Sequence, residues 1–139
     1  MIDCIVLGDS IAVGTHLQRL ECESYAKGGI NTWQWNKTYP NVYLSADTVI
    51  ISLGSNDHKF VKTERELRSM RERVKAKRVF WILPAGNLAE SGVNIEDIRH
   101  IIKEIAAQYG DNVLPINRLS SDKIHPTGSG YRDLADRTR

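Results

Sequence analysis

Residues 47–57 read DTVIISLGSND, and this stretch decides the fold class. Residues 47–53 are rich in β-branched and apolar side chains, which is typical of a strand buried on both faces. Gly54 ends the apolar run, and the polar residues Ser55, Asn56 and Asp57 follow at once. A strand of this kind indicates a parallel sheet that is covered by helices on both sides.

Other short apolar runs along the chain predict the remaining strands of this sheet, at residues 2–7, 21–26, 79–83 and 113–116. Segments with helical spacing lie between them at 11–20, 63–74, 94–110 and 127–135, and a short aromatic-rich stretch spans 32–43. Strands that alternate with helices predict a flavodoxin-like three-layer α/β/α sandwich with a five-stranded parallel sheet. At this length we expect residues 1–139 to form a single domain.

Several residues mark where the predicted helices begin and end. Thr63 and Glu66 have the spacing of a capping box, in which the threonine hydroxyl accepts from the first helical turn. Asn94 and Thr127 are predicted to cap two later helices through their side-chain oxygens. Gly110 is predicted to end the helix that Asn94 begins.

The charge pattern argues against a nucleic-acid partner. The formal net charge is only +2, and basic residues are mixed with acidic ones. Lys75, Lys77 and Arg78 follow Glu72 and are interpreted as a solvated helix face. A nucleic-acid-binding protein would instead require a one-sided basic stripe with aromatic residues.

No apolar stretch approaches the length that a membrane span requires. The first residues do not resemble a signal peptide, because Asp3 interrupts the first apolar run. We therefore expect the protein to be cytoplasmic as synthesised. A virion component or a protein released by lysis would have the same features, and the oligomeric state is left open.

The sequence predicts neither a metal site nor an organic cofactor. Cys4 and Cys22 are expected to be small buried side chains in neighbouring strands rather than a disulfide. The histidines lack the H-E-x-x-H spacing of a zinc site. Nucleotide-binding patterns of the G-x-G-x-x-G and G-x-x-x-x-G-K-[ST] types are also missing from the sequence.

Polar, glycine-rich segments follow the predicted strands. These segments are Gly8-Asp9-Ser10, Gly28-Gly29, Gly54-Ser55-Asn56-Asp57 and Asp122-Lys123-Ile124-His125-Pro126. Because the carboxyl ends of parallel strands share one edge of a sheet, and ligands bind outside that edge, we expect all four segments to meet there.

Three of these residues have the chemistry of nucleophilic catalysis. Ser10 can attack a carbonyl carbon once a base removes its proton, and His125 has suitable basicity. Asp122 can orient the histidine and stabilise its charged form. Pro126 disfavours helical backbone at His125 and so keeps it in the loop. Asp9 and Asp57 are interpreted as structural residues that hold these loops.

The same segments offer donors for an oxyanion. We expect the backbone N–H groups of Ser10 and Gly29 and the side-chain amide of Asn56 to form an oxyanion hole. Gly29 is chosen over its neighbour Gly28 because Thr32 follows it closely, and the choice between them is left open.

Taken in order, these segments resemble the motifs of the SGNH (GDSL-type) hydrolase superfamily. The resemblance covers essentially the whole chain, and Lys123 departs from the glycine that the family most often has there. The resemblance implies a serine esterase with a Ser10, His125 and Asp122 triad and the oxyanion donors named above. It also implies no cofactor. A thioesterase or lysophospholipase would use the same triad, and a non-catalytic binding module could share the fold.

Aromatic residues beyond the second segment bear on the substrate. Trp33 and Trp35 could stack on sugar rings, or they could pack a short helix onto the core. His58 is a further candidate for the lining of the cleft. We expect small acyl esters, such as acetyl groups on carbohydrate, because this short chain shows no obvious apolar pocket for a long acyl chain.

Overall fold

Strands and helices alternate along the whole of the described chain. The computed structural model describes residues 2–87 and 92–139. The strands are β1 (Ile2–Gly8), β2 (Glu23–Ala26), β3 (Ser45–Ser52), β4 (Lys75–Ile82) and β5 (Asn112–Leu114). The helices are α1 (Ser10–Leu17), α2 (Thr32–Thr38), α3 (Thr63–Glu72), α4 (Ile95–Tyr109) and α5 (Gly128–Arg137).

The sheet confirms the predicted fold class. All strand pairs are parallel, and the strand order is β2-β1-β3-β4-β5. The chain reverses its direction of winding between β1 and β3, which are neighbours in the sheet. In flavodoxin-like sheets the ligand crevice opens at this point, outside the carboxyl ends of the two strands.

Two hydrophobic clusters cover the two faces of the sheet. Alternate residues of β1 point to opposite faces, so that Ile5 and Leu7 join one cluster and Cys4 and Val6 join the other. The first cluster includes buried side chains from α2, α3 and α4, whereas the second includes side chains from α1 and α5. Ser10, at the start of α1, therefore lies on the same side of the sheet as α5, which follows the loop that carries Asp122 and His125.

The described helix ends confirm three of the four predicted boundary residues. Asn94 and Thr127 cap α4 and α5 through their side chains, and Gly110 ends α4 in the left-handed conformation. The capping box at Thr63 is wrong. Its hydroxyl donates to the Asp57 carboxylate at 2.6 Å, and the N-cap residue of α3 is Lys62.

The basic run at 75–78 was also assigned to the wrong element. Lys75, Lys77 and Arg78 belong to the first half of β4, which pairs with β3 from Ser45 onward. This half of β4 is largely exposed. Charged residues occur at the exposed end of a strand as well as on the exposed face of a helix. Their presence therefore did not distinguish the two elements.

The expectation for the two cysteines is correct about their burial but wrong about their bonding, because Cys4 and Cys22 form a disulfide with a Cα–Cα distance of 4.6 Å. The reason is the register of the sheet. Ile5 of β1 pairs with Glu23 of β2, so the preceding residue on each side brings the two sulfurs together. Sequence spacing does not reveal this register.

Within the described residues, no helix is both long enough and apolar enough to cross a membrane.

Candidate active site

Ser10, His125 and Asp122 form one chain of hydrogen bonds. The Ser10 hydroxyl lies 2.9 Å from His125 Nε2, and His125 Nδ1 lies 2.8 Å from an Asp122 carboxylate oxygen. The two partners come from the loop between β5 and α5, more than a hundred residues after the serine. The structure thus brings together the three side chains for which a triad was predicted.

The second carboxylate oxygen of Asp122 fixes the histidine loop. It accepts hydrogen bonds from the Ser120 hydroxyl at 2.7 Å and from the backbone N–H groups of Ile124 at 2.8 Å and His125 at 2.9 Å. These donors, with Ile124 the strongest, hold the pKa of Asp122 well below its usual range. Asp122 therefore stays ionised, and an ionised carboxylate is what stabilises a charged histidine.

Asp9, the residue before Ser10, fixes the backbone that carries the nucleophile. It is the N-cap of α1, and one of its oxygens accepts from Ile11 N–H at 3.0 Å and from the Ser52 hydroxyl at 3.1 Å. Asp9 N–H also donates to the Ser52 carbonyl at 2.9 Å, which joins the ends of β1 and β3. Burial raises the pKa of Asp9 to about 6.

The predicted oxyanion donors lie in the loops on either side of the serine. A Cβ built on Gly28 would lie 3.9 Å from Ser10 Cβ, so Gly28 sits beside the nucleophile. Gly29 has a left-handed backbone, with φ of +78°, and open space around its Cα. The Asn56 amide donates to the Ile30 carbonyl at 3.1 Å. That bond ties Asn56 to the glycine loop and uses one of its two N–H groups. Neither glycine is singled out as the donor.

Asp57 holds these two loops together, as its structural interpretation requires. Its carboxylate accepts from the Thr32 N–H at 2.9 Å, the Thr32 hydroxyl at 2.8 Å and the Thr63 hydroxyl. The carboxyl is buried, and burial raises its pKa. Asp57 thus joins the first residues of α2 and α3 directly beside Asn56.

The aromatic candidates separate into core and surface residues. Trp35 is fully buried and donates its indole N–H to the Tyr25 carbonyl at 2.9 Å, so it packs α2 onto the sheet. Trp33 is 48% exposed on the same helix, beneath the Lys37 ammonium. His58 is exposed and accepts from the Phe60 N–H. Sequence reasoning missed Phe60, which is 76% exposed four residues after Asn56.

A groove of about 410 Å³ lies at the carboxyl ends of β4 and β5, next to the loop that carries Asp122 and His125, here called the triad loop. Its lining residues are Leu83, Pro84, Ala85, Gly86, Asn87, Arg99, Pro115, Ile116, Leu119 and Lys123. A smaller cavity of about 220 Å³ lies on the other side of Ser10 and is lined by residues 27–30 with Gln34 and Thr38. The sequence did not suggest the groove, because its apolar lining comes from separate loops.

One group of side chains outside the triad has the composition of a metal site. Within the described residues, Cys4, Glu21 and Cys22 bring potential ligand atoms close together, but the two sulfurs are joined in a disulfide and offer no thiolate.

Comparisons with known proteins agree with the motifs. The model of the GDSL-like Lipase/Acylhydrolase family matches residues 6–132, which confirms the resemblance inferred from the sequence. No curated protein matches the chain.

Solved structures share the fold at low sequence identity. A lipolytic protein of the G-D-S-L family from Veillonella parvula is 14% identical, with coverage of 99% of this chain and 96% of that chain and a TM-score of 0.68. Axe2, an acetylxylan esterase from Geobacillus stearothermophilus, is 17% identical, with coverage of 96% and 90% and a TM-score of 0.62. The C-terminal catalytic domain of peptidoglycan O-acetyltransferase A from Streptococcus pneumoniae is 15% identical, with coverage of 96% and 88% and a TM-score of 0.70.

Proposed function

The chain belongs to the GDSL-like lipase/acylhydrolase family, and from this premise we propose that it is a serine esterase that removes small acyl groups through an acyl-Ser10 intermediate. The observation that carries the proposal is the unbroken line of hydrogen bonds from Ser10 through His125 to Asp122. A nucleophile, a base and an orienting carboxylate in contact are what acyl transfer requires.

In the first half of the reaction, Ser10 Oγ attacks the ester carbonyl carbon while His125 Nε2 takes the hydroxyl proton. The carbonyl oxygen becomes an oxyanion, which is stabilised by the Ser10 N–H group, the N–H group of Gly29 as the glycine chosen from the sequence, and the Asn56 amide. When the tetrahedral intermediate collapses, the bond to the leaving alcohol breaks. His125 then gives its proton to that alcohol, and the acyl group remains on Ser10.

In the second half, water replaces the alcohol. His125 takes a proton from the water as its oxygen attacks the acyl carbon, and the oxyanion hole again stabilises the intermediate. Collapse releases the carboxylic acid and returns the proton to Ser10 Oγ. The ionised Asp122 supports both halves, because each passes through a charged His125.

O-Acetyl groups on carbohydrate are the proposed natural substrates. Trp33 and Phe60 are large exposed aromatic side chains, on α2 and on the loop before α3, and sugar rings stack on such surfaces. Asp57 joins those two segments next to Asn56, which supports a position of α2 and of the loop before α3 at the border of the site. An acetylxylan esterase and a peptidoglycan O-acetyltransferase domain are among the proteins with this fold.

The groove favours a second candidate, an esterase for longer acyl chains of the lysophospholipase type. Leu83, Pro84, Ile116 and Leu119 supply apolar surface beside the triad loop. A hydrophobic chain gains roughly 0.8 kcal/mol for each methylene that it buries, so an occupied groove would show as a preference for longer acyl groups.

The test is hydrolysis of p-nitrophenyl acetate, butyrate and octanoate by the wild type, Ser10→Ala and the control Ser69→Ala, which replaces an exposed serine of α3. We expect the wild type and the control to hydrolyse acetate fastest. Ser10→Ala should lose at least about a thousandfold in kcat, because the nucleophile is absent. A fluorophosphonate should label the wild type but not Ser10→Ala.

Two results would count against a serine esterase, and a third would change only the acyl group. Full activity in Ser10→Ala would exclude the acyl-serine mechanism. A folded wild type that neither hydrolyses any of the three esters nor reacts with the fluorophosphonate would instead favour a non-catalytic binding module. A preference for octanoate would replace the small-acyl proposal with the second candidate.

A further inference from the structure

The groove beside the triad is flanked by a cation, Lys123, that pairs with no acidic side chain among residues 2–87 and 92–139. The two cationic side chains that line it differ in their contacts. Arg99 pairs with Glu96 at 2.8 Å and donates to the Pro84 and Gly86 carbonyls at 2.9 Å each, so it shapes the loop after β4. Lys123 is exposed and forms no ion pair within the described residues.

The backbone of Lys123 is unusual for a side chain of its size. Its φ of 60° is left-handed, and within the described residues it is the sole non-glycine residue with a positive φ. Glycine adopts this conformation without strain, whereas a lysine pays a conformational penalty. A strained residue between the catalytic acid and base suggests that its side chain has a use in the site.

Other cations lie in the loops at the same edge of the sheet as Lys123. The loops at the carboxyl ends of the strands expose five cationic side chains, Lys27, Lys59, Lys62, Arg118 and Lys123. Among the described residues of these loops, Asp122 is the exposed carboxylate, since Asp9 and Asp57 are buried. The first turns of α3 and α4, at the same edge, carry the exposed carboxylates Glu64, Glu96 and Asp97, so this edge has both signs of charge. The cations of the loops, Lys123 among them, are the charges that an anionic substrate can pair with.

We propose that Lys123 is a specificity-determining residue that binds an anionic group, a carboxylate or a phosphate, on the part of the ester that occupies the groove. The inference rests on the proposed esterase function and adds a substrate class to it, namely esters of an alcohol that bears a negative charge. The apolar floor of the groove, Pro115, Ile116 and Leu119, contacts the body of that alcohol.

Among the described residues, one carboxylate near the groove is that of Glu96, which is paired with the lining residue Arg99 at 2.8 Å. A second is that of Asp122, the chain neighbour of Lys123. The two oxygens of Asp122 accept four hydrogen bonds, from Ser120, Ile124 and His125, and these bonds already satisfy it. In the transition state its charge is also balanced by the protonated His125. Of the two cationic side chains that line the groove, Lys123 is therefore the one that is available to pair with an anion.

The test compares two acetate esters that differ in charge, 4-acetoxybenzoate and its neutral methyl ester, with 4-acetoxyphenyl phosphate as a third substrate. The readout is the ratio of kcat/KM for each anionic ester to kcat/KM for the methyl ester. Because each variant is compared with the wild type on the same esters, intrinsic differences in reactivity cancel. The carboxylate represents acidic sugars, and the phosphate represents phosphorylated glycans.

We expect Lys123→Gln to lower this ratio about fivefold, which is the upper range for one exposed charge pair. Lys123→Glu should lower it further, and Lys123→Arg should retain it. The matched control is Lys75→Gln, an exposed lysine at the start of β4 on the opposite edge of the sheet, for which the ratio should stay within twofold of the wild type. High salt should reduce the wild-type ratio toward that of Lys123→Gln.

The inference fails if Lys123→Gln and Lys75→Gln change the ratio alike. It also fails if Lys123→Gln lowers kcat/KM equally for charged and neutral esters, because Lys123 would then act through the loop and not through its charge. Both results leave the esterase function standing. A wild type that hydrolyses none of the esters overturns the function and this inference together. The anionic ester that loses more in Lys123→Gln identifies the group.

Discussion

At the scale of single residues, Asp9 combines two properties that oppose each other. Its carboxylate caps α1 and places Ser10, yet it is fully buried, and its second oxygen makes no hydrogen bond within the described residues. Burial disfavours the charged form and raises the pKa of Asp9 to about 6. The fold therefore holds a proton on Asp9 more tightly than the unfolded chain does.

This shift predicts that the protein loses stability as the pH rises. Between about pH 4 and pH 6 the folded state binds more protons at Asp9 than the unfolded state, so the free energy of unfolding falls as the pH rises through that window. The contribution is about 3 kcal/mol, since each pKa unit corresponds to about 1.4 kcal/mol. Asp9→Asn cannot ionise and should lack this loss.

Urea unfolding at pH 4, 5, 6 and 7 measures the difference between the wild type and Asp9→Asn. We expect that difference to change by about 3 kcal/mol in favour of the variant between pH 4 and pH 7. Asp47→Asn, which removes an exposed partner of Lys77, controls for the loss of a surface carboxylate. A difference that is constant with pH would show that Asp9 is ionised equally in both states.

The sequence was informative about Ser10, Asp122 and His125 because each follows a strand, and strand ends can be located from apolar runs. It was uninformative about Phe60, and it marked Lys123 only as a departure from the glycine of the family it resembles. Phe60 is marked by its exposure, and Lys123 is marked by its left-handed backbone and its position beside the groove. All of these properties depend on the folded chain. The order of motifs located the chemistry, whereas the surroundings that select a substrate required the structure.

At the scale of elements, Asp57 links the starts of α2 and α3. Its carboxylate accepts hydrogen bonds from the Thr32 N–H, the Thr32 hydroxyl and the Thr63 hydroxyl, and these donors are buried. Asp57→Ala leaves these donors without their partner, which costs about 1–3 kcal/mol for a single buried group. We expect Asp57→Ala to lower the free energy of unfolding by more than about 3 kcal/mol. It should also lower kcat, because Asn56 loses its anchored neighbour.

Thr63→Ala is the graded control, since it removes one of the donors and leaves the Thr32 contacts in place. Its loss of stability, measured by urea unfolding, should be at most half that of Asp57→Ala. Equal losses in the two variants would mean that the link between Asp57 and Thr32 contributes nothing.

The elements also show why some local predictions failed. Thr63 has the spacing of a capping box, but its hydroxyl donates to a carboxylate from the loop after β3, a tertiary partner that the local sequence cannot reveal. Cys4 and Cys22 are joined because of the β1–β2 register. Asn94 and Thr127, by contrast, cap with partners in their own helices, and both were predicted correctly.

At the scale of the whole molecule, the parallel sheet between two layers of helices followed from the alternation of strands and helices, because right-handed parallel crossovers leave few arrangements. The groove did not follow. Leu83 is far in the sequence from Pro115 and Leu119, and it meets them only because β4 and β5 are neighbours. Convergence at one sheet edge is thus predictable in outline, while the shape of the resulting surface is not.

The packing of α1 on α5 sets the distance between Ser10 and His125, because Ser10 begins α1 and the loop with His125 runs directly into α5. Gly14 lets the two helices approach, and a Cβ at that position would overlap the aromatic ring of Tyr131. Gly14→Ala should therefore push α5 away and lengthen the Ser10–His125 hydrogen bond. We expect kcat for p-nitrophenyl acetate to fall at least about tenfold, with a stability loss of about 1–3 kcal/mol.

Gly128→Ala is the matched control, because a Cβ at that first residue of α5 would meet only the Arg132 guanidinium at 3.8 Å, an ordinary contact. It should keep both activity and stability. The double variant Gly14→Ala/Tyr131→Ala removes the overlapping ring and should recover part of the lost kcat. If Gly14→Ala lowers stability but leaves kcat unchanged, the geometry of the triad is fixed by its own loop. If the double variant restores kcat, the helix pair sets that geometry, and the site depends on packing across one whole face of the sheet.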